Sequence, residues 1–237
     1  MKKLLLIATT STVILTSTTS FAEVGHFYVK LEGGATKLNI EQFEYYNTKI
    51  KSNINGIFGV GVGYYLMDNF RAELTLDSLV NPEFKGSFFE DIKVFEFKMS
   101  GKGKTKGNVK SLLLSGYVNL CDAGIVKLFV GAGIGMAKVK EKSTGTVTIE
   151  VEDEKVSGTV SESSKNANNF AYQLTAGVSL DLADRIKLDI TYSWRDYGDT
   201  KPGTYNLKFK DIDVYSGTSS KTSYKGHNLI AGIRFDI

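Results

Sequence analysis

Apolar and polar residues alternate along eight stretches of this chain, most regularly in the last, Lys225-Gly-His-Asn-Leu-Ile-Ala-Gly-Ile-Arg-Phe-Asp-Ile237. There Leu229, Ala231, Ile233, Phe235 and Ile237 share one parity. Asn228, Gly232, Arg234 and Asp236 occupy the other, with Ile230 as its single apolar member. A period of two is the signature of a strand with two unlike faces. Stretches 25–38, 53–66, 70–80, 109–120, 126–136, 169–181 and 185–197 repeat the pattern, setting Val29 and Leu31 against Lys30 and Glu32, Leu74 and Leu76 against Glu73 and Asp77, and Leu188 and Ile190 against Lys187 and Asp189. Eight strands are predicted, each with hydrocarbon on one face and charge on the other.

The connections alternate as strictly as the strands. Residues 67–69, 121–124 and 182–184 form tight turns, whereas 39–52, 81–108, 140–168 and 198–224 are long and polar. In an up-and-down meander this places the short turns and both ends of the mature chain on one side and the long loops on the other. The expected fold is therefore all-β: an eight-stranded antiparallel up-and-down transmembrane β-barrel with three short periplasmic turns and four long external loops. Each stretch is long enough for a tilted strand to cross the hydrocarbon. Residues 146–151 with 156–160, and 205–209 with 212–215, alternate inside the long loops and read as hairpins, so the sheet is expected to project beyond the membrane. A soluble barrel of lipocalin type would show the same alternation inside out. The membrane is favoured because the charged face mixes ions with Gly and Ser, and because Phe27, Tyr64, Phe70, Phe170, Tyr192, Trp194 and Phe235 stand near strand ends as an aromatic girdle would.

Other features narrow the function. The opening Met-Lys-Lys-Leu-Leu-Leu-Ile-Ala, a short apolar run and Ser20-Phe-Ala22 read as a cleaved secretory signal over 1–22, leaving one barrel domain over 23–237. Formal charge is +3, or +1 once Lys2 and Lys3 are gone, which gives no uniform field for nucleic acid. Cys121 is the only cysteine, so no disulfide can form within the chain. Gly59-Val-Gly-Val-Gly63 and Gly131-Ala-Gly-Ile-Gly135 have the strand period and no following helix. Gly103-Lys-Thr105 lacks the earlier glycine of a phosphate-binding loop, since Lys98 stands five residues before Gly103. No cofactor or metal is implied. The two histidines, His26 and His227, fall at opposite ends of their strands, roughly 30 Å apart across the hydrocarbon, too far to converge as catalytic bases.

An eight-stranded barrel has room inside only for side chains. Lys30, Glu32, Arg71, Glu73, Asp77, Lys127, Lys187, Asp189, Arg195, Arg234 and Asp236 lie on the non-lipid parity with nearly balanced signs, and are expected to pair and fill the lumen. In the second long loop, Lys98, Lys102, Lys104 and Lys106 make a basic run, a candidate for binding acidic lipopolysaccharide or glycosaminoglycan.

The signal, the eight strands, the four loops and the terminal Gly232-Ile-Arg-Phe-Asp-Ile237 together resemble the small OmpA/OmpX-like and opacity-type surface proteins, along the whole mature chain. Met-Lys-Lys-Leu-Leu-Leu-Ile-Ala and the Phe27-Tyr-Val-Lys30 segment are similar to the rickettsial surface adhesins of this barrel family. The resemblance implies an outer-membrane protein of a Gram-negative bacterium, not an enzyme, that binds host cells or a host serum protein such as vitronectin through surface loops. It also implies barrel-assembly machinery as a partner. The family's terminal aromatic is replaced by Ile237, so Phe235 and Ile237 stand as a variant assembly signal. A structural barrel or narrow porin is the alternative, and a lipid- or peptide-modifying membrane enzyme a third.

Overall fold

The computed structural model describes residues 24–42, 49–52, 54–80, 82–94, 97–151, 154–209, 212–218 and 221–237. The proposed signal over 1–22 lies outside them. The described chain is strand and turn throughout: β1 Phe27–Gln42, β2 Lys49–Ser52, β3 Ile54–Met67, β4 Phe70–Val80, β5 Glu83–Val94, β6 Phe97–Ala123, β7 Val126–Val151, β8 Glu154–Lys165, β9 Ala167–Ala183, β10 Ile186–Asp199, β11 Lys201–Phe209, β12 Ile212–Thr218 and β13 Thr222–Asp236.

Eight strands close a ring in the order β7-β9-β10-β13-β1-β3-β4-β6, with β6 pairing back to β7. All its pairings are antiparallel. The terminal strand closes the barrel against β1 in a register that sets Val29 opposite Phe235, Leu31 opposite Ile233 and Ala35 opposite Leu229. Closure satisfies every edge, which a backbone surrounded by hydrocarbon requires.

The parities separate as the sequence pattern predicts. On β6 Leu114 is 56% exposed on the outside while Leu113 beside it is 1% exposed inside. Phe58, Val60, Val62, Leu74, Leu76, Leu128, Leu174, Ile190, Leu229 and Ile233 are likewise exposed on the outer surface. So large an apolar surface needs hydrocarbon as its solvent. Aromatic rings border it: Phe27 and Tyr64, with centroids 4.7 Å apart, at the turn end, and Phe170, Tyr172 and Trp194 at the other.

Turns sit at 68–69, 124–125 and 184–185, the last two displaced from the expected bounds because β6 runs on through Cys121 to Ala123 and β9 to Ala183. Gly124 takes a left-handed backbone, φ 74°, and its N–H donates to Asp122 at 3.1 Å.

The larger difference is in the long connections. Their described residues are mostly sheet. Beyond the ring, β6 and β7 continue as a shared hairpin to Phe97 and Val151, with β5 and then β2 added on one side and β8, β11 and β12 on the other. The expected hairpins 146–160 and 205–215 are both present as parts of this sheet. Past Val109 the hairpin runs about 40 Å further, at ~3.3 Å per residue. Lysines alternating with Gly, Thr, Met and Val read as a polar loop, yet each residue is paired across the ladder.

Candidate functional site

Ring closure brings together charges that lie far apart in sequence. Lys30 contacts Glu73 and lies 2.8 Å from Glu32. Glu73 also accepts hydrogen bonds from Tyr28 at 2.9 Å and Thr75 at 2.8 Å. Arg195 meets Asp77 at 2.7 Å and Glu32 at 3.8 Å, linking β10 across the lumen to β4 and β1. Arg234 holds Asp189 at 2.8 and 3.0 Å and donates to Ser179 at 2.6 Å and Tyr65 at 2.8 Å. Tyr65 donates in turn to Asp236, which pairs with Lys187. Arg71 lies 3.7 Å from Asp189, with its guanidinium 4.7 Å from the Tyr117 ring centre and 4.4 Å from that of Phe129. Lys127 sits nearer the turns, 3.1 Å from Asp181. The structure thus places every residue of the expected interior set within ion-pair reach of an opposite charge. Such pairs offset their desolvation only when well hydrogen-bonded, and here the bonding is partial: Glu32 Oε1, Asp77 Oδ1 and the Nε atoms of Arg71 and Arg195 are buried without a hydrogen-bond partner among the described residues.

Sequence reasoning missed what lies beyond the charges. Toward the long-hairpin end the interior changes from ionic to apolar, where Leu38, Ile57, Leu79, Phe84, Val109, Val139, Tyr197 and Tyr224 form one buried cluster with Leu113 and Ile230. Ile230, the apolar exception of the last strand, is part of this plug, 2% exposed. Leu113 could have been noticed in Leu112-Leu-Leu114, where a strand cannot bury one face alone. Charges and plug together fill the lumen with side chains.

Glu141 is buried at the margin of the plug. Burial, and after it the nearby Glu162, push its carboxyl up to about 7, with Tyr224 pulling the other way.

The basic run does not lie in a loop. Lys98, Lys102, Lys104 and Lys106 occupy one parity of β6, paired on both sides, with Lys98 aligned to Glu150, Lys102 to Thr146, Lys104 to Thr144 and Lys106 to Lys142. Lys104 pairs with Glu83 at 2.7 Å, which removes it from a free binding set. The run is part of a strand whose ladders are paired on both sides. On the same outer end a polar cleft of about 590 Å³ is lined by Asn168, Asp196, Lys201, Lys221 and Lys225, among others. His26 lies beside the turn end, whereas His227 stacks on Tyr192 at the other, its Nδ1 2.7 Å from the phenol oxygen. Among the described residues no group of His, Cys, Asp and Glu is placed to hold a metal ion. Phe235 and Ile237 are exposed on the outer surface at the turn end, where the Ile237 N–H donates to the Phe27 carbonyl at 2.8 Å.

The outer membrane protein beta-barrel domain matches residues 7–235. A Rickettsia conorii protein named as a candidate adhesin is 39% identical over 263 residues, covering 100% of both chains. A Rickettsia akari protein named in the same way is 40% identical over 242 residues, again covering 100% of both. Among solved structures, Neisserial surface protein A is 13% identical with a TM-score of 0.45, covering 88% of this chain and 96% of that one. The outer membrane protein OprG from Pseudomonas aeruginosa is 13% identical with a TM-score of 0.49, covering 90% and 96%. With this full-length match the chain belongs to the outer membrane protein beta-barrel domain family, an eight-stranded barrel of the Gram-negative outer membrane with its long hairpins at the cell surface.

Proposed function

We infer that this protein is a non-enzymatic surface adhesin, exported by a signal over 1–22, whose barrel is a scaffold and whose external sheet binds host cells or a host extracellular protein of the vitronectin kind. The observation that carries the reading is the sheet itself. A filled barrel needs no structure of its own outside the membrane, yet β6 and β7 extend about 40 Å past it and recruit five more strands. Rigid, ordered surface costs little entropy to bind with, which suits a docking platform. The adhesin names of the two rickettsial relatives support the same reading. The basic face of β6 would add charge attraction to sulfated glycosaminoglycan or host protein, weakened by salt. Phe235 and Ile237 would serve the barrel-assembly machinery as the recognition end.

The register supplies the experiment. Lys142 opposes Ser163 across β7 and β8, so deleting 143–162 and closing with a two-residue turn shortens the hairpin without shifting any barrel rung. Displayed on a non-adherent bacterium, the full chain should confer attachment to host cells, and the shortened chain should lose it while keeping heat-modifiable gel mobility. Equal attachment by both would defeat the reading. A structural barrel is the second reading, favoured by the filled lumen, which also argues against a narrow porin. Stable conductance steps in planar bilayers would reverse that order.

A further inference from the structure

On β6 and β7 the even-numbered residues face outward, and Leu112 opposite Met136 is the last exposed apolar pair before the hairpin leaves the barrel. The next rungs on the same face are Lys110 opposite Lys138, Asn108 opposite Lys140, and Lys106 opposite Lys142. Five ammonium groups thus follow directly on the lipid-facing surface, the first pair ~7 Å and the second ~20 Å along the strands from it. Lys106, Lys110, Lys138 and Lys142 are exposed and Lys140 half-exposed.

Two features make this more than a solvated strand face. First, two lysine pairs stand directly opposite one another, an arrangement that destabilises an antiparallel ladder unless an anion lies between them. Second, the described residues beside them on that face supply a single carboxylate, that of Glu83. Their flanking partners are Ser78 on β4, Asn168 on β9, Glu83 on β5 and Ser163 on β8. Glu83 is engaged by Lys104, and Glu141 is buried on the inward parity. Among the described residues five ammonium groups thus face one shared carboxylate, and the excess charge begins at the depth where hydrocarbon gives way to headgroups, a layer ~5–8 Å thick on each side of a bilayer, and continues outward beyond it.

We propose that the outward face of β6 and β7 at Lys106, Lys110, Lys138, Lys140 and Lys142 is a binding site for the phosphates of an outer-leaflet lipid. The two lysine pairs, ~13 Å apart along the strand, take two phosphates of one headgroup, with Lys140 between them. Lysine suits the task because its long stem lies along apolar surface while the ammonium reaches the interface. The barrel would then carry an ordered lipid on one flank, beneath the external sheet. This gives the lipid contact expected of the basic run a site built from two strands. It rests on the membrane position of the barrel and stands whether or not the sheet is an adhesin.

The test uses the full chain folded in phosphatidylcholine nanodiscs containing either bisphosphorylated lipid A or the same lipid dephosphorylated, with retained lipid counted by native mass spectrometry. The wild type should retain the phosphorylated form at least tenfold over the other. A Lys106→Gln, Lys110→Gln, Lys138→Gln, Lys142→Gln variant should lose that preference, while a Lys155→Gln, Lys201→Gln control keeps it. Urea unfolding supplies a second reading whose sign inverts. Freed of facing charges, the variant should unfold at higher urea than wild type in pure phosphatidylcholine, and at lower urea than wild type with lipid A. Equal retention by variant and wild type would overturn the proposal, as would lower stability of the variant in both bilayers. So would displacement of bound lipid A by soluble heparin, which would assign the lysines to a sulfated polysaccharide.

Discussion

Replacing Arg234 by methionine removes the most connected group of the lumen. Arg234 is 2% exposed, and its guanidinium lies 2.8 and 3.0 Å from the Asp189 oxygens and gives hydrogen bonds to Ser179 and Tyr65. Methionine fills a similar volume, so the cost is chiefly electrostatic. Among the described residues Asp189 would keep as ion-pair partner only Arg71, 3.7 Å away and too distant for a hydrogen bond. Breaking a buried pair from one side costs about 3–5 kcal/mol. Neutralising the abandoned carboxylate with Asp189→Asn should restore much of this, so the double variant should fall short of additivity by about 2 kcal/mol. Trp194, the only tryptophan, stands on the outer surface against Tyr172 with ring centres 5.6 Å apart, and its emission reports folding into phosphatidylcholine vesicles during urea titration. A cost below about 1 kcal/mol for Arg234→Met, or strictly additive losses in the double variant, would show that the lumen charges are not a coupled network.

Three further outcomes follow from the two faces and the plug. Ile233→Lys, on the outward parity beside Arg234, should cost about 2–4 kcal/mol near mid-bilayer in the same titration, and normal insertion would mean the faces are reversed. Glu141 keeps its proton in the native state up to about 7 but loses it in the unfolded chain above 4.5. The native state thus binds more protons between those values, and stability falls as pH rises through them, by about 1–3 kcal/mol. Amide protection in β7 and β8, corrected for intrinsic exchange, should therefore drop from pH 5 to pH 8, and Glu141→Gln should flatten that slope; an unchanged slope would refute the assignment. A Cβ at Gly135 would lie 2.0 Å from the Leu112 carbonyl oxygen, so Gly135→Ala should push β6 from β7 and destabilise by about 1–3 kcal/mol. Gly124, with nothing within 4 Å, should lose only about 1 kcal/mol on the same change, from its left-handed backbone.

The eight-strand count was legible because two solvents act on every membrane strand. Lipid accepts Leu112 and Leu114 while the lumen accepts Ser111 and Ser115, and such demands can only be written with a period of two. The partners inside the lumen were not legible. Arg195 reaches Asp77 from 118 positions away, and only the closed ring sets which charges share a level. The plug was hidden because Ile57, Leu79 and Leu113 occupy the parity that elsewhere carries ions, so in sequence they look like interruptions. The external sheet was under-read for a different reason. Above the membrane neither face of β6 meets hydrocarbon, so lysine, glycine and threonine suffice for a strand held by its neighbours, and no hydropathy contrast marks it.

That continuity of β6 and β7 from lumen wall to sheet has a mechanical meaning. Any load applied to the sheet and directed away from the membrane travels along two unbroken strands. It loads the ladders that join β6 to β4 and β7 to β9 sideways and all at once, as a bolt is loaded in shear. A flexible loop tip would pass the same force to a single rung at the barrel rim and open the ladder like a zipper. The 9 register pairs of β6 with β4 and the 14 of β7 with β9 make the attachment resist tension as a unit.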